Sequence, residues 1–379
     1  MEDVVIVSAA RSPIGKRGGG LAGVHPAELL GRVQRAAIER SGIAPESIGQ
    51  VVGGCVDQVG EQAMNIARTA WLAAGLPLEV AATTIDAQCG SSQHATALAA
   101  GLVASGVVPA AMACGVESMS RIPMGANVDG NHGSPVAPGY EQHFCWTTQF
   151  EGAELIADHW AITREDADAF GLRSQERAAA AWADGAFEDQ LVGIDVGGDA
   201  LFTRDEGPRA SSAEGLAKLK PVSEDGVHTA GNASQISDGA SAVVLTTAAR
   251  ARAEGLQPLA RIVDTVLAGS DPVMMLTGPI PATEQLLKRN SMNISDVDVF
   301  EINEAFASVV LAWERELGAD PARVNPNGGA IALGHPLGGT GAGLITKAVH
   351  ELHRGDGERA IVAMCCGGGL GTGMLLERL

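Results

Sequence analysis

Residues 83–92 read TTIDAQCGSS and residues 331–340 read IALGHPLGGT, and the two stretches share one layout. Each begins with an apolar run, passes a reactive side chain (Cys89 or His335), turns through glycine or serine, and leads into a helical pattern. A third stretch, residues 364–369, reads MCCGGG and ends an apolar strand. The repeated layout predicts a duplicated core in which both reactive side chains lie at helix starts.

Short apolar runs alternate with helical patterns in both halves of the chain, which implies parallel strands with helices on both faces of a sheet. In the first half we expect strands at 4–8, 51–56, 82–86, 111–114 and 242–246 and helices at 26–41, 62–74 and 91–105. In the second half we expect strands at 259–267, 297–301, 328–333, 359–364 and 372–376 and helices at 282–290, from Asn303, and at 340–354. The helix at 91–105 is apolar nearly all round, which is typical of a helix buried at the centre of a protein. We therefore expect the third helices of the two halves to pack together.

Residues 116–150 interrupt this alternation, because they are rich in Gly, Asn, Pro and His and are too long for an ordinary connection. Helices are expected to follow at 151–160 and 163–184. This pattern indicates an inserted cap over the first half rather than a linker. The predicted units are an N-terminal half (1–115 plus 236–250), a cap or loop domain (116–235) and a C-terminal half (251–379).

Charge and composition argue against several classes of function. The formal net charge of −19 argues against nucleic acid, whose binding needs clustered Lys and Arg. No apolar run reaches the ~18 residues of a membrane span, and the N-terminus has no signal-peptide pattern. The six cysteines lack the C-x-x-C spacing of a zinc site and fit a reducing compartment. We expect a cytoplasmic protein with no bound metal.

Four side chains are candidates for chemistry, although each also has a structural interpretation. A helix start favours the thiolate form of Cys89, but a free cysteine is often a small buried hydrophobe. His335 is the counterpart of Cys89 and could supply the base of an activated thiol, or simply occupy a turn. The three glycines after Cys365 would expose N–H groups to an oxyanion, or form a tight turn. Asn303, taken alone, is a helix N-cap.

One stretch is locally basic within this acidic chain. It contains Arg209, Lys218 and Lys220, with only Glu214 against them. It could bind a small anionic ligand, or it could be an ordinary solvated surface.

Taken together, these motifs closely resemble the thiolase family, in the right order and over essentially the whole chain. The motifs are Gln88-Cys89-Gly90-Ser91, Asn303–Ala307, Asn327–Pro336, Cys365 with Gly367–Gly369, Arg11–Gly15 and Thr229–Ser234. Three segments (14–17, 226–229 and 234–239) look most like the actinobacterial steroid-degrading branch of 3-ketoacyl-CoA thiolases.

The resemblance implies an α/β fold with duplicated βαβαβαββ halves in five α/β/α/β/α layers and an inserted cap. It implies an acyltransferase that cleaves 3-oxoacyl-CoA with CoA, or runs the reverse Claisen condensation, and contributes to lipid β-oxidation and steroid degradation. Coenzyme A and acyl-CoA are then substrates, with no tightly bound cofactor. The implied assembly is a homodimer or homotetramer.

The resemblance also assigns roles to residues. Cys89 would carry the acyl group after activation by His335, and Cys365 would be the acid/base. His335 and a water held by Asn303 would form one oxyanion hole, and the backbone N–H groups of Cys89 and Gly367 would form the other. Contacts to CoA would come from the following residues: Ser234 at the pantetheine, Arg209 near the adenine, and His228.

This sequence departs from the family pattern at several positions. Gly343 stands where an arginine is common, and Gln149 and Phe150 stand where methionine and glycine usually form the acyl-pocket wall. Cys366 replaces an aliphatic residue, and we assign it no role. The alternatives are a biosynthetic acetoacetyl-CoA thiolase, a ketoacyl synthase-like condensing enzyme and a non-catalytic thiolase-like lipid-binding protein. The second thiol, Cys365, argues against the condensing enzyme, and the complete residue set argues against the non-catalytic protein.

Overall fold

The computed structural model of the chain describes residues 2–128, 130, 132–198 and 201–379. The strands are β1 (Val4–Arg11), β2 (Gly15–Lys16), β3 (Gln50–Gly54), β4 (Ala81–Ile85), β5 (Ala110–Ser118), β6 (Ile194–Asp195), β7 (Leu201–Phe202), β8 (Ser237–Thr247), β9 (Ala260–Gly269), β10 (Val299–Ile302), β11 (Arg359–Cys366) and β12 (Leu370–Arg378). The α-helices are α1 (Pro26–Ser41), α2 (Ile66–Ala73), α3 (Ser91–Ala104), α4 (Gln149–His159), α5 (Arg164–Ala183), α6 (Ala213–Ala217), α7 (Ala248–Glu254), α8 (Pro279–Arg289), α9 (Ala307–Leu317), α10 (Ala330–Leu333) and α11 (Leu337–Arg354).

Each half of the chain contributes a mixed sheet, and the two sheets meet where β1 pairs with β9. The N-terminal sheet has the order β4-β3-β5-β8-β1, in which β3 is parallel to both of its neighbours. The C-terminal sheet has the order β10-β11-β12-β9, with β10 parallel to β11 and the other pairs antiparallel. Among the described residues, the pairs across the junction are Val5 with Arg261 and Ile6 with Ala260.

The helices form three layers around these sheets. Helices α1 and α2 pack on the outer face of the N-terminal sheet, and α8 packs on the outer face of the C-terminal sheet. Helices α3 and α11 contact each other and strands of both sheets, so they form the central layer. Every residue of β1 and β8 is buried, as expected for strands covered on both faces. The predicted five-layer α/β fold is confirmed.

Glycine allows the two central helices to approach closely. A Cβ on Gly341 would lie 2.4 Å from the backbone nitrogen of Gln93, so no larger residue fits there without displacement. Close by, the Ala342 N–H donates to Ser92 Oγ at 2.9 Å. The opposite side of α3 is more open than predicted, because Leu98 is 42% exposed. The helix is therefore buried on one face rather than all round.

The predicted strand at 328–333 is wrong, because these residues form the short helix α10. The Gly329 N–H donates to Ser174 Oγ and the Ile331 N–H donates to Glu304 Oε2, so neither is available to a strand ladder. An isolated parallel bridge between Phe300 and Val324 is formed beside β10 instead. The second half therefore does not repeat the βαβαβαββ order of the first at this point.

The predicted helix start at Asn303 is also wrong, because α9 begins at Ala307. The Asn303 N–H donates to the Ala363 carbonyl at 3.0 Å and so extends the pairing of β10 with β11. Its side chain is therefore not a helix cap and is free to contact other buried side chains.

The cap contains α4, α5, α6 and the hairpin of β6 and β7. Its helices α4 and α5 pack against α9 and α10, so much of the cap lies on the second half rather than the first, contrary to our expectation. It also contacts the first half, where Arg11 makes a buried two-point ion pair with Asp205 at 2.8 and 3.0 Å. Within the described ranges, no helix is both long and apolar enough to cross a membrane.

Candidate active site

Cys89 lies in the turn between β4 and α3. Gln88 before it has a φ of 53°, which turns the chain sharply, and Cys89 is 4% exposed. The backbone N–H groups of Gly367 and of Cys89 itself lie beside the sulfur and favour its thiolate form. Burial nevertheless raises the pKa of Cys89 to about 12, with help from the carboxylates of Glu117 and Asp86. Burial thus outweighs the helix start, and the resting group is a thiol.

His335 follows α10 and Gly334, whose φ of 114° requires glycine. Its Nδ1 lies 2.7 Å from Thr340 Oγ1, and that hydroxyl donates to the Pro336 carbonyl at 2.8 Å. Because the hydroxyl proton is already used, we assign the ring proton to Nδ1, which leaves Nε2 as an unprotonated base. Burial lowers the pKa of His335 to about 4, so the imidazole is neutral at physiological pH.

Asn303 connects His335 to the second thiol. Its Nδ2 lies 3.4 Å from His335 Nε2, and its side chain lies close enough to the Cys365 thiol to favour the thiolate form. Among the described residues, Asn303 Oδ1 is buried without a partner, as expected for an atom that would hold a water or a substrate group. Cys365 is fully buried, and burial, then the neighbouring sulfurs of Cys89 and Cys366, raises its pKa well above the usual thiol value.

The glycine turn after Cys366 connects β11 to β12 and approaches the Cys89 turn. Gly368 and Gly369 have φ values of 79° and 75°. A Cβ on Gly367 would lie 3.0 Å from Gln88 Oε1. The backbone N–H groups of Cys89 and Gly367 therefore lie beside the Cys89 sulfur, where both could donate to the oxygen of a carbonyl that the sulfur attacks.

Cys89 and His335 both line one cleft that is partly open to solvent. The residues that line this cleft are Cys89, Met119, Met124, Gln149, Phe150, Ala233, Ser234, Gln235, Ile236, Leu276, Ala305, Phe306, His335 and Leu337. Cys365 and Asn303 do not line it but lie buried next to its lining residues. The structure thus brings Cys89, His335, Cys365, Asn303 and Gly367 together.

A basic groove adjoins the cleft. It shares Ser234, Gln235 and Ile236 with the cleft and is also lined by Lys16, Arg17, Arg209, Leu219 and Ala230. Lys218 and Lys220, predicted to be part of the basic stretch, are exposed but do not line the groove.

Sequence reasoning missed Lys16 and Arg17 as site residues, although two adjacent cations in an acidic chain were a usable signal. It also missed Thr340, whose role depends on the geometry of the turn.

The structure does not bring His228 to the cleft. This residue is fully buried, with Nε2 2.9 Å from Ser308 Oγ. Its Nδ1 lies 3.0 Å from Glu154 Oε1, off the line of a straight hydrogen bond. The ring packs at 5.3 Å on Phe306, which does line the cleft, so His228 lies behind the cleft wall. Across the described parts of the chain, no group of three or more His, Cys, Asp or Glu side chains is placed to hold a metal.

Comparisons with known proteins agree with this geometry. Residues 4–249 match the family described as "Thiolase, N-terminal domain", and residues 256–378 match "Thiolase, C-terminal domain". The steroid 3-ketoacyl-CoA thiolase FadA6 of Mycobacterium tuberculosis is 46% identical, over 100% of this chain and 95% of the relative. A beta-ketoadipyl-CoA thiolase of Pseudomonas putida is 41% identical over the full length of both chains. The crystal structure of the Bacillus anthracis acetyl-CoA acetyltransferase superposes with a TM-score of 0.93 at 41% identity, covering 100% of this chain and 99% of that one. The chain therefore belongs to the thiolase family of CoA-dependent acyltransferases.

Proposed function

We propose that this acyltransferase cleaves 3-oxoacyl-CoA with CoA through an acyl group carried on Cys89. The observation that carries the proposal is that Cys89 and His335 line one cleft, with the backbone N–H groups of Cys89 and Gly367 beside the Cys89 sulfur. A nucleophile, a base and an oxyanion hole in one cleft are the requirements of acyl transfer.

In the first step His335 Nε2 takes the thiol proton of Cys89, and the sulfur attacks the 3-oxo carbon of the substrate. The C2–C3 bond then breaks, and the electron pair passes to C2 of the departing acetyl-CoA unit. Cys365 gives its thiol proton to that carbon. The products of this step are acetyl-CoA and an acyl thioester on Cys89, so every proton and electron pair is accounted for.

In the second step the Cys365 thiolate takes the proton from the thiol of an incoming CoA. The CoA sulfur attacks the acyl carbonyl, and Cys89 leaves as a thiolate that recovers the proton held on His335. The shortened acyl-CoA is released. Run in reverse, the same steps join two acyl groups, so these residues serve both directions.

The basic groove supports the position of CoA. We propose that the pantetheine lies along Ser234 and that Lys16, Arg17 and Arg209 face the phosphates, because all three cations line the groove that adjoins the cleft. Charge of one sign along a cleft raises the local concentration of an oppositely charged substrate, even on a protein with net charge −19.

We propose a degradative role with a large acyl group, because the sequence segments 14–17, 226–229 and 234–239 resemble the steroid-degrading branch and FadA6 is a close relative. The test compares thiolysis of acetoacetyl-CoA, a long straight-chain 3-oxoacyl-CoA and a steroid 3-oxoacyl-CoA. A higher kcat/KM for the steroid substrate supports the proposal, and a strong preference for acetoacetyl-CoA rejects it in favour of the biosynthetic alternative.

We also propose that the protein acts as a homo-oligomer in the cytoplasm. The edge strand β4 has no charged residue, and Met64 and Leu98 leave apolar surface exposed. An uncharged edge strand is a natural place for a second sheet to pair. Light scattering should show a dimer or tetramer that Thr83→Lys disrupts and that Leu201→Lys, at an exposed leucine of the cap, leaves intact. A monomeric wild-type protein at micromolar concentration would contradict the assembly.

The proposed location in the cytoplasm fits the thiols of Cys89 and Cys365, which suit a reducing compartment.

The acyl-enzyme is tested by mass spectrometry of the intact protein after exposure to acetoacetyl-CoA. The wild type should gain one acetyl group, located on the peptide that contains Cys89. Cys89→Ala should gain none, whereas Cys114→Ala, which removes a buried thiol outside the cleft, should behave like the wild type. A labelled adduct that survives Cys89→Ala would overturn the assignment of the nucleophile.

A further inference from the structure

The lining of the cleft has two chemically different parts. One part, Ser234, Gln235 and Ile236, is shared with the basic groove. The remaining lining residues, among them Gln149 and Phe150, do not border the groove. If CoA enters by the basic groove, the acyl group meets this second part. Apart from Cys89 and His335, Gln149 is the one polar side chain that the described residues contribute to it.

The position of Gln149 is fixed by the start of α4. Thr148 caps this helix: its hydroxyl accepts the Glu151 N–H at 3.2 Å, and the Glu151 carboxylate accepts the Thr148 N–H at 2.7 Å. Gln149 is the first residue of the helix, so its Cα cannot swing away without loss of both bonds. An N-cap of this kind contributes about 1 kcal/mol to helix stability.

The Gln149 amide has no hydrogen-bond partner among the described residues, which distinguishes it from the other glutamine of the cleft. The amide of Gln235 donates to three backbone carbonyls, those of Gly207, Ile331 and Ala332, at 2.9 to 3.2 Å. Gln235 is therefore part of the scaffold, whereas the donors and the acceptor of Gln149 are available to a ligand.

The surroundings of Gln149 make such a contact selective. Phe150 packs edge-to-face on Phe306, with ring centroids 4.9 Å apart and an interplanar angle of 75°, and so forms a rigid apolar wall beside it. A hydrogen bond is stronger in apolar surroundings, and an amide that loses its water there without a new partner is costly. An apolar acyl chain that displaces this water would leave the amide unpaired.

We propose that Gln149 is a specificity-determining residue that selects 3-oxoacyl-CoA substrates whose acyl group carries a second oxygen function, a ketone or a carboxylate, beyond the reacting 3-oxo group. This inference rests on the proposed thiolase function and names its substrate class. A neutral amide has two donors and one acceptor, so it can bind either kind of oxygen through its N–H groups. A methionine side chain has no hydrogen-bond donor and cannot make this contact.

The test measures kcat/KM for thiolysis of 3-oxoacyl-CoA substrates of equal length that differ only at the distal end. One series is unsubstituted, one has a ketone and one has a carboxylate, with the oxygen placed at successive carbons. The enzymes are the wild type, Gln149→Met and the matched control Gln142→Met, which makes the same change at an exposed glutamine of the cap that does not line the cleft. Each rate is expressed relative to acetoacetyl-CoA for the same variant, which removes any general loss of activity.

The wild type should prefer at least one oxygenated substrate about 10-fold over the unsubstituted chain of the same length, the factor that one well-placed hydrogen bond supports. Gln149→Met should reduce this ratio to about 1, and Gln142→Met should leave it near 10. A wild-type ratio near 1 for every oxygenated substrate, or an unchanged ratio in Gln149→Met, overturns the inference. If the wild type turns over acetoacetyl-CoA but shows no preference for an oxygenated substrate, the inference about Gln149 is refuted and the thiolase function stands. If the wild type turns over no substrate and forms no acyl group on Cys89, the proposed function itself is refuted.

Discussion

Thr340 determines which nitrogen of His335 acts as the base, and its replacement by valine is a sharp test of the site. The Thr340 hydroxyl accepts from His335 Nδ1 at 2.7 Å and donates to the Pro336 carbonyl at 2.8 Å. Thr340→Val keeps the branched shape but removes both contacts. The Nδ1 proton would then face a methyl group inside the protein.

The expected loss of acylation rate follows from the free-energy cost of leaving that N–H without a partner. A buried donor without a partner costs about 1–3 kcal/mol, and the ring avoids this cost by moving its proton to Nε2. Because the Nε2-protonated imidazole cannot accept the thiol proton of Cys89, the fraction of competent enzyme falls. At about 1.4 kcal/mol per factor of ten, we expect acylation of Cys89 to slow by about 10- to 100-fold.

The assay is single-turnover acylation of Cys89 by acetoacetyl-CoA, followed by rapid quench and mass spectrometry. Thr346→Val is the matched control, since Thr346 is buried in the same helix and also donates to the carbonyl four residues earlier, that of Ala342, at 2.8 Å. Both variants should lose about 1 kcal/mol of unfolding free energy, but only Thr340→Val should lose acylation. Thr340→Ser, which keeps the hydroxyl, should restore most of the rate. The tautomer assignment is refuted if Thr340→Val acylates as fast as Thr346→Val.

The remaining predictions concern stability, packing and CoA binding. Burial lowers the folded-state pKa of His335 from 6.5 to about 4, so between these pH values the unfolded state binds a proton that the folded state does not. The free energy of unfolding should therefore fall by about 3 kcal/mol as the pH drops from 6.5 to 4. Denaturant midpoints measured across this window should depend less on pH in His335→Gln, and an equal dependence would contradict the assignment. Gly343→Ala should stabilise the protein by about 1 kcal/mol, because it removes a glycine from the middle of α11 and its Cβ meets its nearest neighbour at 3.9 Å. Gly341→Ala should destabilise it by about 1–3 kcal/mol, because its Cβ would lie 2.4 Å from a backbone nitrogen of α3; equal denaturant midpoints for the two variants would refute the packing argument. Reversal of charge at Lys16 and Arg17 should raise KM for CoA thioesters about 10-fold at low salt and much less at high salt, and should not affect truncated thioesters that lack the phosphates. A similar rise with the truncated substrates would show that the two cations do not contact the phosphates.

Much of the fold is visible in the sequence because it depends on local patterns. Cys89 and His335 are marked by glycine or serine turns after apolar runs, and those turns have physical causes in the structure. Gly334 is needed for its φ of 114°, and Gly341 for the close approach of α11 to α3. Side chains tied to such backbone requirements are the easiest to locate from sequence.

The helix α10 could not be predicted, because an Ala-Ile-Ala-Leu run buried on all sides fits a strand as well as a helix. Its conformation is decided by distant partners: Ser174 of the cap and Glu304, which accept the N–H groups of Gly329 and Ile331. The same holds for Asn303, which resembles a helix cap in sequence but continues β10. Tertiary hydrogen bonds decided both cases.

The ionisation of the site was also hidden, because it reflects a balance of burial and local dipoles. The helix start favours the thiolate of Cys89, but removal of water at a nearly closed site favours the thiol more strongly, and the pKa rises to about 12. The sequence shows that Cys89 lies at a helix start, but it does not show how deeply the thiol is buried. Similarly, Lys16 and Arg17 lie more than 190 residues before Arg209, and only the fold brings the three cations to one groove.

The two pKa values constrain when the proton of Cys89 moves. Burial raises the pKa of the Cys89 thiol and lowers the pKa of the His335 imidazole, so proton transfer between them in the resting cleft is uphill. Attraction between a thiolate and an imidazolium would offset part of this cost, but the neutral pair is the resting state. Charge must therefore develop on the substrate oxygen as the proton leaves sulfur, where the N–H groups of Cys89 and Gly367 can stabilise it. On this view the closed, apolar site suppresses a reactive thiolate until a thioester occupies the cleft, and the oxyanion hole supplies the stabilisation that the resting pair lacks.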